Sequence, residues 1–248
     1  MSDKIPLSEK NIVIRAGVNL PRPDDRRIFE EVYTNDSYKL EELYSLKIIP
    51  INPVILDIGA HVGSFALSAD IVWPKSTILC AECCPENIPI LKNNVEPWAE
   101  VFPAAVTYET VPLGLLNSVI AGGPTTAASE VLPIDTLRIH RHNPEHYWMD
   151  LRPLSVITLE EMLSASKNFS VPPSVVDILK LDCEGSEYSI LRNTNILNSI
   201  KVIIGEYHDY PKFIPILKTR FAKWEFTRVH NESNNNGTFR LINPMYKR

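Results

Sequence analysis

Val54–Ala66, VILDIGAHVGSFA, joins a buried-strand pattern directly to a glycine-hinged turn that opens a helix. Val54, Ile55, Leu56 and Ile58 make a short apolar run interrupted at Asp57, the pattern of a strand covered on both faces in a parallel α/β sheet. Gly59 and Gly63 permit positive φ and close backbone approach where strand becomes helix. Such a turn usually cradles a nucleotide, with helix-start N–H groups available to polar or anionic groups. Glu82 closes the next apolar run, Thr77–Glu82, TILCAE, about where a ribose-binding acid should stand in a dinucleotide fold.

Glycine spacing narrows the nucleotide. A dinucleotide turn wants G-x-G-x-x-G, so that a pyrophosphate can lie on the backbone. This chain has D-x-G-x-x-x-G, with Ala60, His61 and Val62 crowding that space, and no P-loop lysine follows. A nucleoside without phosphates fits better, and Asp57 can accept a hydrogen bond or pair with a ligand ammonium. S-adenosylmethionine meets that description.

Four blocks in order resemble the FkbM family of S-adenosylmethionine-dependent methyltransferases, over roughly residues 54–210. They are DIGAHVGSFAL from Asp57, AECCPENIPILKNN at Ala81–Asn94, VDILKLDCEGSEYSIL at Val176–Leu191 and VIIGEYH at Val202–His208. Two departures from the family pattern are His61 where Asn is usual and Cys83 where Pro is usual. The resemblance implies a class I methyltransferase (Rossmann-like) α/β sheet, mostly parallel with an antiparallel C-terminal strand and helices on both faces.

Composition is that of a soluble globular protein. Of 248 residues, 44% are hydrophobic and 22% charged, enough to bury a substantial core. A net charge of −5, from 25 basic against 30 acidic residues, argues against a nucleic-acid groove, which needs a basic stripe. No apolar run reaches the length of a membrane span, and MSDKIPLSEKNIVIR lacks a signal-peptide core, so a cytoplasmic location is expected. Cys80 and Cys83 have C-x-x-C spacing, but i and i+3 on a strand face opposite ways, and a second pair is missing. Free thiols, with Cys84 and Cys183, are the expectation rather than zinc.

Residues 1–50 read as an N-terminal extension, and residues 51–248 as the methyltransferase domain. Glu30–Leu46 has helical patches interrupted at Asn35–Ser37, and Phe29, Tyr33, Tyr38 and Tyr44 either pack as core or cover the active-site mouth. In the core, helix Gly63–Val72, strand Thr77–Glu82, helix Glu86–Asn94 and strand Ala99–Val106 alternate, with Pro85 suited to a first helical position. Thr107–Ser155 breaks the rhythm and reads as an insert, a possible substrate lid, with a binding loop or irregular chain at His140–Trp148. Val156–Leu163 enters a helix; Val175–Leu181 and Lys201–Glu206 are further core strands. Phe213–Trp224 reads as a helix, and Glu225–His230 with Thr238–Ile242 as a closing hairpin.

Ligands of an open parallel sheet bind beyond the carboxyl ends of its strands. That rule collects Asp57, Gly59, Ala60, His61, Gly63, Ser64, Glu82 and Ala105 as the cofactor set, with Glu82 on the ribose. It collects Asp182, Glu184, Glu206 and His208 as the catalytic candidates. Methyl transfer to oxygen needs alignment and a destination for the acceptor proton. His208 is the more natural proton acceptor, with Asp182 orienting it or the hydroxyl. No metal is required in this reading; the alternative is that Asp182, Glu206 and His208 hold Mg²⁺ or Mn²⁺.

The resemblance implies an O-methyltransferase acting on a sugar or natural-product hydroxyl, and a glycan sugar is the favoured small-molecule or glycan substrate. A polyketide acceptor, a catalytically silent binding module on the same fold, and a dehydrogenase are the other readings.

Overall fold

Alternating strands and helices build one seven-stranded sheet with a helical layer on each face. The structure, a computed structural model, describes residues 12–13, 25–108, 113–118, 129–133, 147–150, 154–183, 186–231 and 235–247. Two short helices, α1 (Asp25–Phe29) and α2 (Leu40–Ser45), precede the sheet, and α1 runs on into a π-helical turn at Glu30–Thr34. The sheet is built from β1 (Val54–Ile58), β2 (Thr77–Ala81), β3 (Ala99–Phe102), β9 (Val176–Leu181), β10 (Ile200–Tyr207), β11 (Glu225–Asn231) and β12 (Gly237–Ile242). Across it the order is β11-β12-β10-β9-β1-β2-β3. The parallel pairs are β1·β2, β1·β9, β9·β10 and β2·β3, while β12 runs antiparallel to both β10 and β11.

The register explains the chain's polarity pattern. Successive strand residues face opposite sides, and the core divides accordingly. Leu56, Ile58, Leu179, Leu181, Ile203, Phe239 and Leu241 pack on one face. Ile55, Ile178, Val202 and Ile204 pack on the other, with Tyr38, Leu40 and Leu43 of the N-terminal segment and Phe65, Ala66 and Ala69. The second face is covered by α3 (Ser64–Val72) and α4 (Ile88–Val95). The first is covered by α5 (Leu159–Ala165), α6 (Glu187–Asn193) and α7 (Tyr210–Arg220).

Several boundaries differ from the sequence reading, each for a local reason. The third strand does not run through Val106. Pro103, with no N–H for a ladder, ends β3, and β4 (Ala105–Val106) pairs instead with β8 (Val156–Ile157) in a separate two-stranded sheet. Helix α4 starts at Ile88 rather than Glu86, so Pro89, not Pro85, sits in its first turn. Helix α7 starts at Tyr210, because the Asp209 side chain accepts from Lys212 N and caps it early, and it stops at Arg220, short of Trp224. Helix α5 opens with a capping box, Thr158 Oγ1 accepting from Glu161 N and Glu161 Oε2 from Thr158 N.

In the insert, β5 (Leu113–Ser118), β6 (Ser129–Pro133) and β7 (Tyr147–Asp150) form a three-stranded antiparallel sheet in the order β6-β5-β7. The segment 140–146 of the expected binding loop lies outside the described residues. All four cysteines are free thiols. Among the described residues no helix is long and apolar enough to cross a membrane.

The N-terminal helices are fastened to the domain. Arg240 on β12 salt-bridges Glu42 at 2.6 Å, Tyr44 meets Trp73 edge to face at 6.0 Å, and Asp25 lies 3.6 Å from His61 Nε2.

Candidate active site

Strand order reverses between β1 and β9, and the site is assembled at that switch point. The turn after β1 is tight for a steric reason. Gly59 has φ +77°, and a Cβ there would sit 1.8 Å from the carbonyl oxygen of Asp182. That contact brings the exit of β9 against the turn, and Asp182 N also donates to Ile58 O at 3.1 Å. Gly63 has φ +95° and His61 φ +51°.

The turn's amides are largely spent on the protein. Gly59 N and Ala60 N both donate to Ala81 O, and Gly63 N donates to Ala60 O. His61 N donates to Glu82 Oε2 at 2.8 Å. The expectation of helix-start N–H groups open to an anion therefore fails at these four positions, which suits a ligand without phosphates. Glu82 Oε1 accepts from Cys84 N at 2.7 Å and from Asn87 Nδ2 at 3.4 Å. Burial pushes the Glu82 pKa above the ordinary carboxylate value, against the pull of the Cys84 and His61 amides.

These residues fit an adenosyl sulfonium. A carboxylate offers about four lone-pair sites, so Glu82 Oε2, with one backbone donor, keeps acceptor capacity for a ribose hydroxyl. The Ser64 hydroxyl, at the start of α3, is buried and has no hydrogen-bond partner among the described residues. Ala60 and Ala105 are small and buried.

Asp57 is not open to a ligand ammonium. It is fully buried, and Lys180 Nζ lies 3.2 Å from its Oδ1. Asp57 and Lys180 are register partners on β1 and β9 and face the same side. Lys180 also donates to Gly59 O at 2.7 Å and stands 3.6 Å from Asp182 Oδ2. Burial works against its charge, but Asp57, then Asp182 and Glu206, outweigh it and raise the pKa above the ordinary lysine value. Burial raises Asp57, opposed chiefly by Lys180.

Three of the four catalytic candidates converge. Ligand atoms of Asp182, Glu206 and His208 all lie within 4.8 Å of one another, at the tips of β9 and β10. Glu184 lies outside the described residues. His208 Nδ1 is 3.4 Å from Glu187 Oε1, and its Nε2 is 3.6 Å from Glu206 Oε2. The backbone at this corner is held by Tyr188, whose hydroxyl accepts from His208 N and Asp209 N at 3.1 and 2.9 Å.

Sequence reasoning missed two contributors and placed a third only by class. Lys180 carried a readable signal, as a charge in an apolar strand at the same alternation as Asp57. Glu187 carried none beyond opening a helix. Tyr38 was one aromatic among four. It donates to Asp182 Oδ2 at 3.0 Å, lies 3.5 Å from Glu206 Oε1, and packs edge to face on Phe65.

A sheet numbered 3-2-1-4-5-7-6 across its width, with the seventh strand antiparallel and a glycine turn at the switch point, defines the class I S-adenosylmethionine-dependent methyltransferases. The methyltransferase FkbM domain matches residues 57–238, and the chain belongs to that family. Methyltransferase sdnD of Sordaria araneosa is 23% identical over 188 residues, covering 68% of this chain and 68% of that protein. The METTL16 methyltransferase domain aligns with a TM-score of 0.48 at 12% identity, over 84% of this chain. The chain thus spans 66% of that domain. Aeropyrum pernix fibrillarin, solved with natively bound S-adenosylmethionine, aligns with a TM-score of 0.43 at 13% identity, over 85% of this chain and 74% of that one.

Proposed function

We propose that this methyltransferase moves the methyl group of S-adenosylmethionine onto a hydroxyl of a sugar in a glycan or small glycoside. The observation that carries the reading is the gathering of Asp182, Glu206 and His208 at the tips of β9 and β10, beside the cofactor turn. Bound there, the sulfonium supplies an electrophilic methyl and its own leaving group.

The chain's residues do the remaining work. Glu82 and Ser64 would hold the adenosyl end, and the Gly59 turn sets its distance from Asp182. The acceptor hydroxyl gives its proton to the acidic and imidazole cluster, and its oxygen lone pair forms the new O–C bond. The C–S bonding pair returns to sulfur, which leaves a neutral thioether. Alignment supplies most of the acceleration, because an in-line displacement is sensitive to small misplacements. Asp182 is well placed to fix the hydroxyl, since Tyr38 and Lys180 hold one of its oxygens.

The test is a panel of defined mono- and oligosaccharides, hydroxylated polyketides and amines, incubated with methyl-labelled donor and read by mass. A mass gain of one methyl on a sugar hydroxyl is expected. Labelling confined to polyketide hydroxyls moves the substrate class, and labelling only of amines overturns O-methylation. Absence of S-adenosylhomocysteine binding by calorimetry would favour a silent scaffold.

A further inference from the structure

We infer that Asp182, Glu206 and His208 form a divalent-cation site that receives the acceptor oxygen, a refinement that rests on the O-methyltransferase reading above. Two carboxylates and an imidazole on adjacent strand tips, with ligand atoms within 4.8 Å, are a hard donor set suited to Mg²⁺ or Mn²⁺.

The supporting shell is what separates this cluster from a chance meeting of acids. The three candidate ligands remain partly open, at 25% for Asp182, 21% for Glu206 and 29% for His208. Each has beside it a polar group that is itself almost wholly buried. Lys180, 3% exposed, and Tyr38, 2% exposed, both engage Asp182 Oδ2. Tyr38 also faces Glu206 Oε1. Glu187, 1% exposed, has Oε1 3.4 Å from His208 Nδ1, while the ring's Nε2 lies 3.6 Å from Glu206 Oε2. A carboxylate on the far nitrogen of a histidine is the arrangement that fixes tautomer and ring orientation in metal sites.

A second observation comes from the neighbouring strand. Thr238 on β12 lies directly across from Glu206 in the antiparallel register, and directly paired residues share a face. Its hydroxyl is buried, 1% exposed, and has no hydrogen-bond partner among the described residues. A coordinated solvent molecule beside Glu206 would satisfy it. Three protein donors leave about three positions of an octahedral ion for solvent and acceptor oxygens. A hydroxyl held there loses its proton to solvent more readily, and the O–C bond forms as the C–S pair returns to sulfur. His208 then serves as a ligand rather than as the base.

The whole 248-residue chain, stripped of metal by chelator, is titrated with Mn²⁺ alone and followed by electron paramagnetic resonance, with and without S-adenosylhomocysteine. Binding of one Mn²⁺ per chain, displaced by Mg²⁺, is the expected result. Asp182→Asn and Glu206→Gln should abolish it, and Tyr38→Phe should weaken it by about 10–100-fold, the usual cost of an outer-shell partner. Calorimetry on the same variants should leave S-adenosylhomocysteine affinity within a few-fold, which shows that they fold. Cofactor binding without Mn²⁺ binding overturns the cation site and leaves the methyltransferase reading intact. Mn²⁺ binding that ignores all three substitutions overturns this location. Mn²⁺ binding with no cofactor affinity overturns the functional reading instead.

Discussion

Removing Lys180 should expose how much of this fold rests on one buried charge pair. Lys180→Met leaves Asp57 fully buried with its counterion gone. At 3.2 Å and an effective dielectric of about 20, the lost Coulomb attraction is about 5 kcal/mol. Breaking buried pairs by removing one partner costs about 3–5 kcal/mol in practice. Two backbone acceptors, Gly59 O and Ile58 O, also lose a donor, at about 1 kcal/mol each. Urea unfolding at pH 7.5 should therefore show a loss of about 5–7 kcal/mol. Asp57→Leu combined with Lys180→Met should recover all but about 2 kcal/mol, because neither charge then remains to be desolvated.

The pH dependence of the single variant has a defined sign. Burial raises the Asp57 pKa in the folded state, and Lys180 is the main influence opposing it. Without the lysine the folded chain binds a proton that the unfolded chain does not. Stability of that kind is present below the unfolded carboxylate value and is lost as pH rises through the folded one. The deficit of Lys180→Met should shrink between pH 7.5 and 5.5. A loss under about 1 kcal/mol, or a deficit equal at both pH values, would refute the buried-pair argument.

Further outcomes test the cofactor turn and a remote control. Glu82→Ala should weaken S-adenosylhomocysteine by about 1–3 kcal/mol in calorimetry; unchanged affinity removes Glu82 from the ribose. Gly59→Ala forces a Cβ into the Asp182 carbonyl at a positive φ, so its melting temperature and cofactor affinity should both fall, and a wild-type melt would contradict the close approach. Thr158→Ala breaks the α5 capping box, which should cost about 1 kcal/mol of stability while turnover stays at the wild-type level. Loss of turnover there would show that α5 is coupled to the site.

The sheet was readable because its strands are written as apolar runs that end in chemistry. The Val54–Ile58 run, the glycines at 59 and 63 and the closing hairpin gave the switch point and the antiparallel edge. Errors fell where a single side chain overrides periodicity, as Pro103 does at the third strand and Asp209 does at the start of α7. The site divides the same way. Glu82, Asp182, Glu206 and His208 sit at strand ends, where topology alone gathers candidates. Tyr38 reaches Asp182 across 144 positions of sequence, and no local pattern marks it. Asp57 looked available because Lys180, though legible as a charge in an apolar strand, is placed directly across from it only by the β1·β9 register.

Tyr38 precedes the stretch that matches the family, which begins at residue 57. A recombinant fragment trimmed to 57–238 would lose the phenol on Asp182, the Glu42 clasp on Arg240 and Arg240 itself. The stretch shared with the family and the set of residues that contact Asp182 therefore have different borders. Sequence drift in the leading fifty residues can reset the surroundings of Asp182 while every block shared with the family stays untouched.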